Sequence, residues 1–263
     1  MRPPGHRRLR ARGQAGRHRH RRTSEGRRLI ASLLLLSSLT LPVLGATTEA
    51  CDRAAWYILQ GRYGAALQQL EGARSGGSSS ADNENLRGLA LMMNGEPAKA
   101  AEAFGRALEL DAGLVEARFN RAVAMLKLGE LKKAATEFER ISEGALAASA
   151  SYHRALALDR LGDLAGAEAA LDRTLAIDPS FAPALLHRGL LHERGGKLEV
   201  AVREYLAYLK LHPQSAAAML RVGVVAQRAG RNDVGIAWLR KVIATSPDSP
   251  EAVEARKFLV MWE

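Results

Sequence analysis

The stretch that decides the fold is ALALDRLGDLAGAEAALDRTLAIDP at residues 155–179, followed by GLLHERGGKLEVAVREYLAYLKLHP at residues 189–213. Each segment runs from a small residue through a glycine and a large apolar residue to a proline. The matching positions are 34 residues apart: Gly162 and Gly196, Ala167 and Ala201, Leu171 and Tyr205, Pro179 and Pro213. Recurrence at one fixed spacing indicates an internal structural repeat.

The same landmarks recur from residue 47 to residue 249. Glycines at steps of 34, 34, 33, 34 and 34 are Gly61, Gly95, Gly129, Gly162, Gly196 and Gly230. Small residues lie seven positions before them, at Ala54, Gly88, Ala122, Ala155, Gly189 and Gly223, and five after, at Ala66, Ala100, Ala134, Ala167, Ala201 and Gly235. Large apolar residues lie nine positions after them, at Leu70, Phe104, Phe138, Leu171, Tyr205 and Leu239. The agreement of residue type with spacing predicts six copies of one unit.

Each copy has the pattern of a helical hairpin. Two amphipathic stretches of about a dozen residues flank the glycine, with apolar residues at helical spacing. Glycine suits the tight turn that ends a helix, whereas proline suits a helix start and not its interior. Because one hairpin cannot bury its own apolar face, the copies must stack on one another. The sequence therefore predicts an all-α fold.

The pattern of small residues, leucine or aromatic residues and closing prolines resembles the tetratricopeptide repeat. The resemblance implies a right-handed α-solenoid of about six helix-turn-helix repeats, at residues 47–80, 81–114, 115–147, 148–181, 182–215 and 216–249. Residues 250–263 are expected to form a capping helix with Val253, Phe258 and Trp262 facing inward. The family's early tryptophan is absent, and its positions hold Glu84, Arg118, Ser151, Leu185 and Met219.

The first 28 residues carry the net charge of the chain. They contain eleven arginines and a single acid, Glu25. Once they are set aside from the 38 basic and 28 acidic residues of the chain, 27 of each remain, so the net charge of +10 belongs to this head. Its composition predicts a disordered segment. Nucleic-acid binding through the head is an alternative function, and no nucleic-acid binding is expected from the neutral repeats.

Residues 29–46, LIASLLLLSSLTLPVLGA, contain no charged side chain. A basic start, an apolar centre, the helix breaker Pro42 and the small residues Gly45 and Ala46 are typical of a secretory signal peptide. We therefore expect an exported, bacterial protein of the periplasm or envelope. Because eighteen apolar residues also suffice to span a bilayer, retention as an inner-membrane anchor is the alternative. A start downstream of Met1 is a further alternative, since a basic segment of 28 residues is long for the start of a signal peptide.

The sequence contains no catalytic motif. The glycine-rich segment 72–80 lacks the Lys-Ser/Thr ending of a phosphate-binding loop, and zinc-protease and nucleophile-elbow motifs do not occur. Cys51 is the only cysteine, which excludes an intrachain disulfide and a cysteine-rich metal site. His187 and His192 are five residues apart and so diverge on a helix. We interpret the chain as a non-enzyme with no cofactor, no metal and no small-molecule substrate.

The resemblance also implies where a partner binds, namely on the concave surface formed by the first helix of each repeat. One apolar row there comprises Phe119, Tyr152, Leu186 and Leu220, and a second comprises Leu89, Val123, Leu156, Leu190 and Val224. A basic row comprises Lys127, Arg160, Arg194 and Arg228. Inter-repeat packing is the alternative role of the apolar rows, and a favourable interaction with the helix dipole is that of the basic row. A ladder of Arg53, Arg87, Arg121, Arg154 and Arg188 is interpreted as structural.

These observations predict a scaffold that holds protein or peptide partners. An apolar groove with a basic edge suits an extended or amphipathic segment that carries some acidic residues. With the export signal, this favours a role in assembling an envelope, secretion or surface-structure complex. A membrane-anchored adaptor is the alternative if residues 29–46 are retained.

Overall fold

The computed structural model describes residues 49–76 and 80–262, which contain thirteen α-helices and no strand. The basic head, the signal peptide or anchor, and its cleavage site lie outside these residues. The helices are α1 Glu49–Leu59, α2 Tyr63–Ser75, α3 Ala81–Met93, α4 Pro97–Leu110, α5 Val115–Lys127, α6 Leu131–Glu139, α7 Ala147–Leu161, α8 Leu164–Ile177, α9 Ala182–Arg194, α10 Leu198–Leu211, α11 Ala216–Arg228, α12 Asn232–Thr245 and α13 Pro250–Trp262. The predicted all-α fold is confirmed. Among the described helices, none is both long enough and apolar enough to cross a bilayer.

The first twelve helices follow one another as six helix-turn-helix pairs. The recurring glycines stand at the end of the first helix of each pair, and all six have a positive φ, between 70° and 82°. Only glycine adopts this left-handed conformation without steric cost, because it has no Cβ. The glycine period of the sequence is therefore the period of the turns in the structure.

The chain divides into two compact units, of which the first ends at Leu128 and the second begins at Gly129. In the described residues the first unit holds α1 to α5 and the second holds α6 to α13. This boundary falls inside the third predicted repeat, 115–147. Its second helix, α6, has nine residues, the fewest of the described helices, and Gly144 makes an additional left-handed turn before α7. The periodic landmarks do not report this shortened helix because they all precede its end.

The small and large residues of the repeat pack against each other inside the helix pairs. The recurring alanines of both positions and the large residues are at most 2% exposed. In two of the repeats the large residue is aromatic and the facing residue is glycine: Gly88 lies against Phe104, and Gly189 lies against Tyr205. A Cβ added to Gly189 would lie 2.5 Å from Cε1 of Tyr205, which is too close for two carbon atoms. These glycines are thus required by the ring that faces them.

Three members of the arginine ladder form ion pairs with neighbouring helices. This agrees with the structural role that the sequence predicts for the ladder. Arg154 on α7 contacts Glu139 on α6 at 2.8 Å, and Arg87 on α3 lies 3.8 Å from Glu71 on α2. Arg188 on α9 contacts Asp172 on α8 at 2.7 Å and Glu204 on α10 at 2.9 Å. The pair of Arg53 with Glu49 stays within α1. Ion pairs in this position tie α3, α7 and α9 to second helices beside them.

The last helix, α13, covers the apolar side of α11 and α12. Ala252 and Ala255 are fully buried, and Phe258, Leu259 and Trp262 pack against the same core cluster. Val253 was predicted to face inward but is 48% exposed, so that prediction is wrong. Because a helix advances about 100° per residue, the buried face that includes Ala252 and Ala255 leaves Val253 at its edge.

Candidate functional site

A groove of about 540 Å³ opens on the surface of the second unit. The side chains around it come from three helices of two successive repeats. None of them is an aspartate, glutamate, lysine or arginine. The lining residues are Tyr152, Leu156, Ala182, Pro183, Leu186, His187, Leu190, Tyr208 and His212.

The repeat itself places the apolar side chains of the groove side by side. Helices α7 and α9 are the first helices of successive repeats, so Tyr152 and Leu186, 34 residues apart, hold equivalent positions. Leu156 and Leu190 lie one turn further along the same helices, on the same face. All four are half-buried and line the groove. The two predicted apolar rows therefore meet here.

The other members of the first apolar row lie in the core. Phe119 is 1% exposed, and Leu220 is 9% exposed within the core cluster of the last repeats. In the second row, Leu89 and Val123 are also buried. The prediction that Phe119 and Leu220 face a partner meets little accessible surface at Leu220 and almost none at Phe119. Leu220 belongs to a core cluster against which Leu186 and Leu190 of the preceding repeat pack.

The end of α10 contributes two residues that the sequence analysis missed. Tyr208 lies in the last turn of this second helix, and His212 caps its end. Their rings are 4.8 Å apart, and both line the groove beside the start of α9. They were missed because the resemblance assigned the groove to first helices alone. Their spacing of four residues, which places two rings on one helix face, was the available signal.

The basic row is interleaved with acids of the same chain. Arg194 hydrogen-bonds to Asp159, and Nη1 of Arg228 donates to Oε1 of Glu193 at 2.9 Å. Each acid belongs to the preceding repeat and stands just before that repeat's own member of the row. Arg160 and Lys127 are exposed. The predicted basic edge is, at Arg194 and Arg228, an edge of paired charges.

One of these acids also holds a residue of the groove. Oδ2 of Asp159 lies 2.9 Å from Nε2 of His187. Burial alone would raise the pKa of Asp159, but hydrogen bonds from Arg194 and His187 outweigh it and lower the pKa below its ordinary value. Asp159 is therefore ionised at neutral pH and accepts a hydrogen bond from the Nε2–H group of His187. The imidazole of His187 thus lies between a carboxylate partner and an aromatic neighbour, since its ring centroid is 6.1 Å from that of Tyr152.

Besides Nδ1 of His187, which is buried without a hydrogen-bonding partner, three polar groups on the groove make no hydrogen bond to any residue that the structure describes. They are the hydroxyls of Tyr152 and Tyr208 and the ring of His212. Burial raises the pKa of Tyr152, so its hydroxyl keeps its proton at neutral pH. The groove thus offers apolar surface together with hydrogen-bonding groups.

The arrangement offers no metal site. In residues 49–76 and 80–262, no three histidine, cysteine, aspartate or glutamate side chains converge to hold an ion. Cys51 is buried in α1, where its thiol donates to Oδ1 of Asn83 at 2.6 Å. What the groove can do chemically is bind an apolar group and hydrogen-bond to its neighbours.

Sequence comparison agrees with the repeat seen in the fold. A model of the tetratricopeptide repeat matches residues 54–115, 141–180 and 186–250, and a second model of this repeat matches residues 91–158. The chain belongs to the tetratricopeptide repeat family. No curated protein matches the sequence significantly.

Solved tetratricopeptide repeat structures share the fold. YrrB, described as a TPR protein with an unusual peptide-binding site, is 21% identical, with a TM-score of 0.58 over 72% of this chain and 97% of its own. PilW, described as a widely conserved type IV pilus biogenesis factor, is 21% identical, with a TM-score of 0.64 over 80% of this chain and 96% of its own. The pilF protein of Pseudomonas aeruginosa is 18% identical, with a TM-score of 0.64 over 81% and 96%. At these identities the likeness shows the α-solenoid fold alone.

Membership in the family carries a general statement about function. Tetratricopeptide repeat proteins are in general non-catalytic scaffolds for protein interaction, because stacked helix pairs present extended surfaces to other chains. This chain is a scaffold of that class. The groove of the second unit is the surface on which its particular function can be argued.

Proposed function

We propose that this protein binds an extended or amphipathic segment of another protein in the groove of its second unit, lined by α7, α9 and α10. The observation that carries this proposal is the groove of about 540 Å³ with tyrosine and leucine side chains on its wall. Apolar pockets with a few uncharged polar groups suit ligand binding, and tyrosine is enriched among the residues that dominate binding energies.

The structural neighbours support a peptide ligand. YrrB has a peptide-binding site according to its description, and its fold matches most of this chain. A solenoid built from the same hairpins presents the same kind of surface. The binding residues in the second unit are then Tyr152, Leu186 and Tyr208, which line the groove.

The proposed location is the cell envelope of a bacterium. Two observations support it: the apolar segment 29–46 behind a basic head, and the pilus-biogenesis description of PilW. A scaffold there would assemble an envelope, secretion or surface-structure complex. Anchoring through an uncleaved segment 29–46 is the alternative mode of attachment.

A photo-crosslinking amino acid at position 186 tests the groove in the native host. Leu186 is half-buried on the groove wall, whereas Leu164, the first residue of α8, is 46% exposed and does not line the groove. We expect position 186 to form a discrete crosslinked product that position 164 does not form. Equal products at both positions, or a product at 164 alone, would contradict binding in the groove.

Intact mass of the protein from separated soluble and membrane fractions tests the location. A soluble species that begins near Ala46 or Thr47 is the expected result. An unprocessed species in the membrane fraction would contradict the exported scaffold and favour the anchored adaptor.

A further inference from the structure

We propose that the groove of the second unit selects an uncharged segment anchored by one large aliphatic or aromatic side chain, and that it does not select acidic segments. This inference rests on the proposed function and names the chemistry of its ligand. It departs from the expectation of an acidic partner, which depended on a free basic row.

At Arg194 and Arg228, the charges of the basic row are already matched within the chain. Asp159 accepts hydrogen bonds from Arg194 and from His187, and Glu193 accepts one from Arg228. A ligand carboxylate that approached Arg194 would have to compete with Asp159. The pairs are about half exposed on the arginine side, so they add little stability, but they cancel the field of each cation.

The wall of the groove penalises a ligand charge. None of the nine lining residues is an acid, a lysine or an arginine. An acidic side chain inserted there would lose its hydration without contacting a lysine or an arginine, and the carboxylate of Asp159, which accepts from His187, would repel it. An aliphatic or aromatic side chain instead removes apolar surface of Tyr152, Leu186 and Leu190 from water.

The polar groups that remain on the wall suit a peptide backbone. The hydroxyls of Tyr152 and Tyr208 are uncharged and have no hydrogen-bonding partner in the described part of the chain. Each can donate to a backbone carbonyl or accept from a backbone N–H beside the anchor. The volume of about 540 Å³ lies within the range of ligand pockets, so it accommodates an anchor together with flanking backbone.

Selection of a phage-displayed random linear peptide library on the full-length protein tests this ligand chemistry. We expect the recovered peptides to share one position occupied by Leu, Ile, Phe or Trp and to show no enrichment of Asp or Glu. A synthetic copy of the best peptide should bind with a dissociation constant that changes by about twofold or less between about 50 and 500 mM NaCl, because screening acts on exposed charges.

Matched variants locate the binding and separate folding from recognition. Leu186→Asp should weaken the binding of the synthetic peptide by about tenfold or more, whereas Leu164→Asp should not change the affinity of the protein for the peptide. Tyr208→Phe removes one hydroxyl without altering the ring and should weaken binding by about threefold. Asp159→Asn leaves a hydrogen-bonding amide but removes the charge that offsets Arg194, so this variant should enrich acidic residues next to the anchor.

The outcomes distinguish this inference from the proposed function. Peptides that depend on Leu186 but are enriched in Asp or Glu, with strongly salt-dependent affinity, would overturn the uncharged ligand and leave groove binding intact. Peptides unaffected by Leu186→Asp, or a library that yields no common anchor, would overturn both. An unchanged peptide preference in Asp159→Asn would show that the ion pairs do not set the selectivity.

Discussion

Single residues of the second unit show how its packing is tied to protonation. His153 lies between two rings, with its centroid 5.5 Å from that of Phe138 and 5.6 Å from that of Tyr152. Its Nδ1–H donates to the carbonyl oxygen of Ser149 at 2.7 Å. Burial lowers the pKa of His153, and the hydrogen bond to Ser149 offsets only part of this effect. The folded protein therefore favours the neutral imidazole.

This preference predicts a loss of stability in acid. Because the pKa of His153 is lower in the folded than in the unfolded chain, the unfolded chain binds more protons between the two values. The free energy of unfolding should be highest above pH about 6.5, the ordinary histidine pKa, and should decrease as the pH falls below it. Urea unfolding at several pH values measures this slope.

The control for this prediction is His153→Phe, which keeps a ring between Phe138 and Tyr152 but does not titrate. Its free energy of unfolding should decrease less between neutral and mildly acidic pH than that of the unsubstituted protein. Parallel slopes for the two proteins would show that His153 does not cause the acid sensitivity.

At the scale of helices, a small and a large residue meet within three of the pairs, at Gly88, Gly189 and Gly223. In the fifth repeat, Gly189 on α9 lies against the ring of Tyr205 on α10, and the Tyr205 hydroxyl donates to Glu193 at 2.8 Å. In the fourth repeat the same two positions hold Ala155 and Leu171, both fully buried. These two repeats thus fill equivalent positions with different pairs of small and large residues.

Gly189→Ala should destabilise the protein by about 1–3 kcal/mol, because the added methyl overlaps the ring of Tyr205. Chemical denaturation measures the change. The double variant Gly189→Ala, Tyr205→Leu reproduces the residues of the fourth repeat. Gly189→Ala should therefore destabilise the Tyr205→Leu variant less than it destabilises the unsubstituted protein. Equal destabilisation by Gly189→Ala in both backgrounds would mean that the ring is not the obstacle.

At the scale of the whole molecule, α13 follows the sixth hairpin and packs on it. Helix α13 covers α11 and α12 with Ala252, Ala255, Phe258, Leu259 and Trp262, and the rings of Phe258 and Trp262 stack at 4.9 Å. In repeat arrays each element is stabilised by its immediate neighbours. The contribution of α13 is therefore local to the helices that it covers.

Deletion of residues 250–263 should accelerate amide hydrogen exchange in α11 and α12 far more than in α1 to α5, because it uncovers their apolar residues. Mass spectrometry of proteolytic fragments measures both regions in one experiment. Val260→Ala is the matched control, since Val260 is 86% exposed and its truncation should leave exchange unchanged. Uniform acceleration across the chain would show that both units unfold together.

The sequence by itself determined the repeat and its turns. The period of the glycines and of the small and large residues follows from local chemistry, since a left-handed turn and a close helix contact each restrict the residue types that fit. The arginine ladder was also readable, because acids recur within reach on the neighbouring helices. The same reasoning predicted Tyr152 and Leu186 together, one repeat apart.

Only the tertiary structure decided which of the periodic positions remain accessible. Phe119 and Leu220 have the same register as Tyr152 and Leu186, yet neighbouring helices cover them, and burial depends on those neighbours and not on register. The partners of Arg194 and Arg228 are acids one repeat earlier, and Tyr208 and His212 join the groove from a second helix. These side chains come from different helices, about 30 residues apart in sequence. Their contacts depend on packing and charge compensation between helices, which the spacing of residues along one helix does not predict.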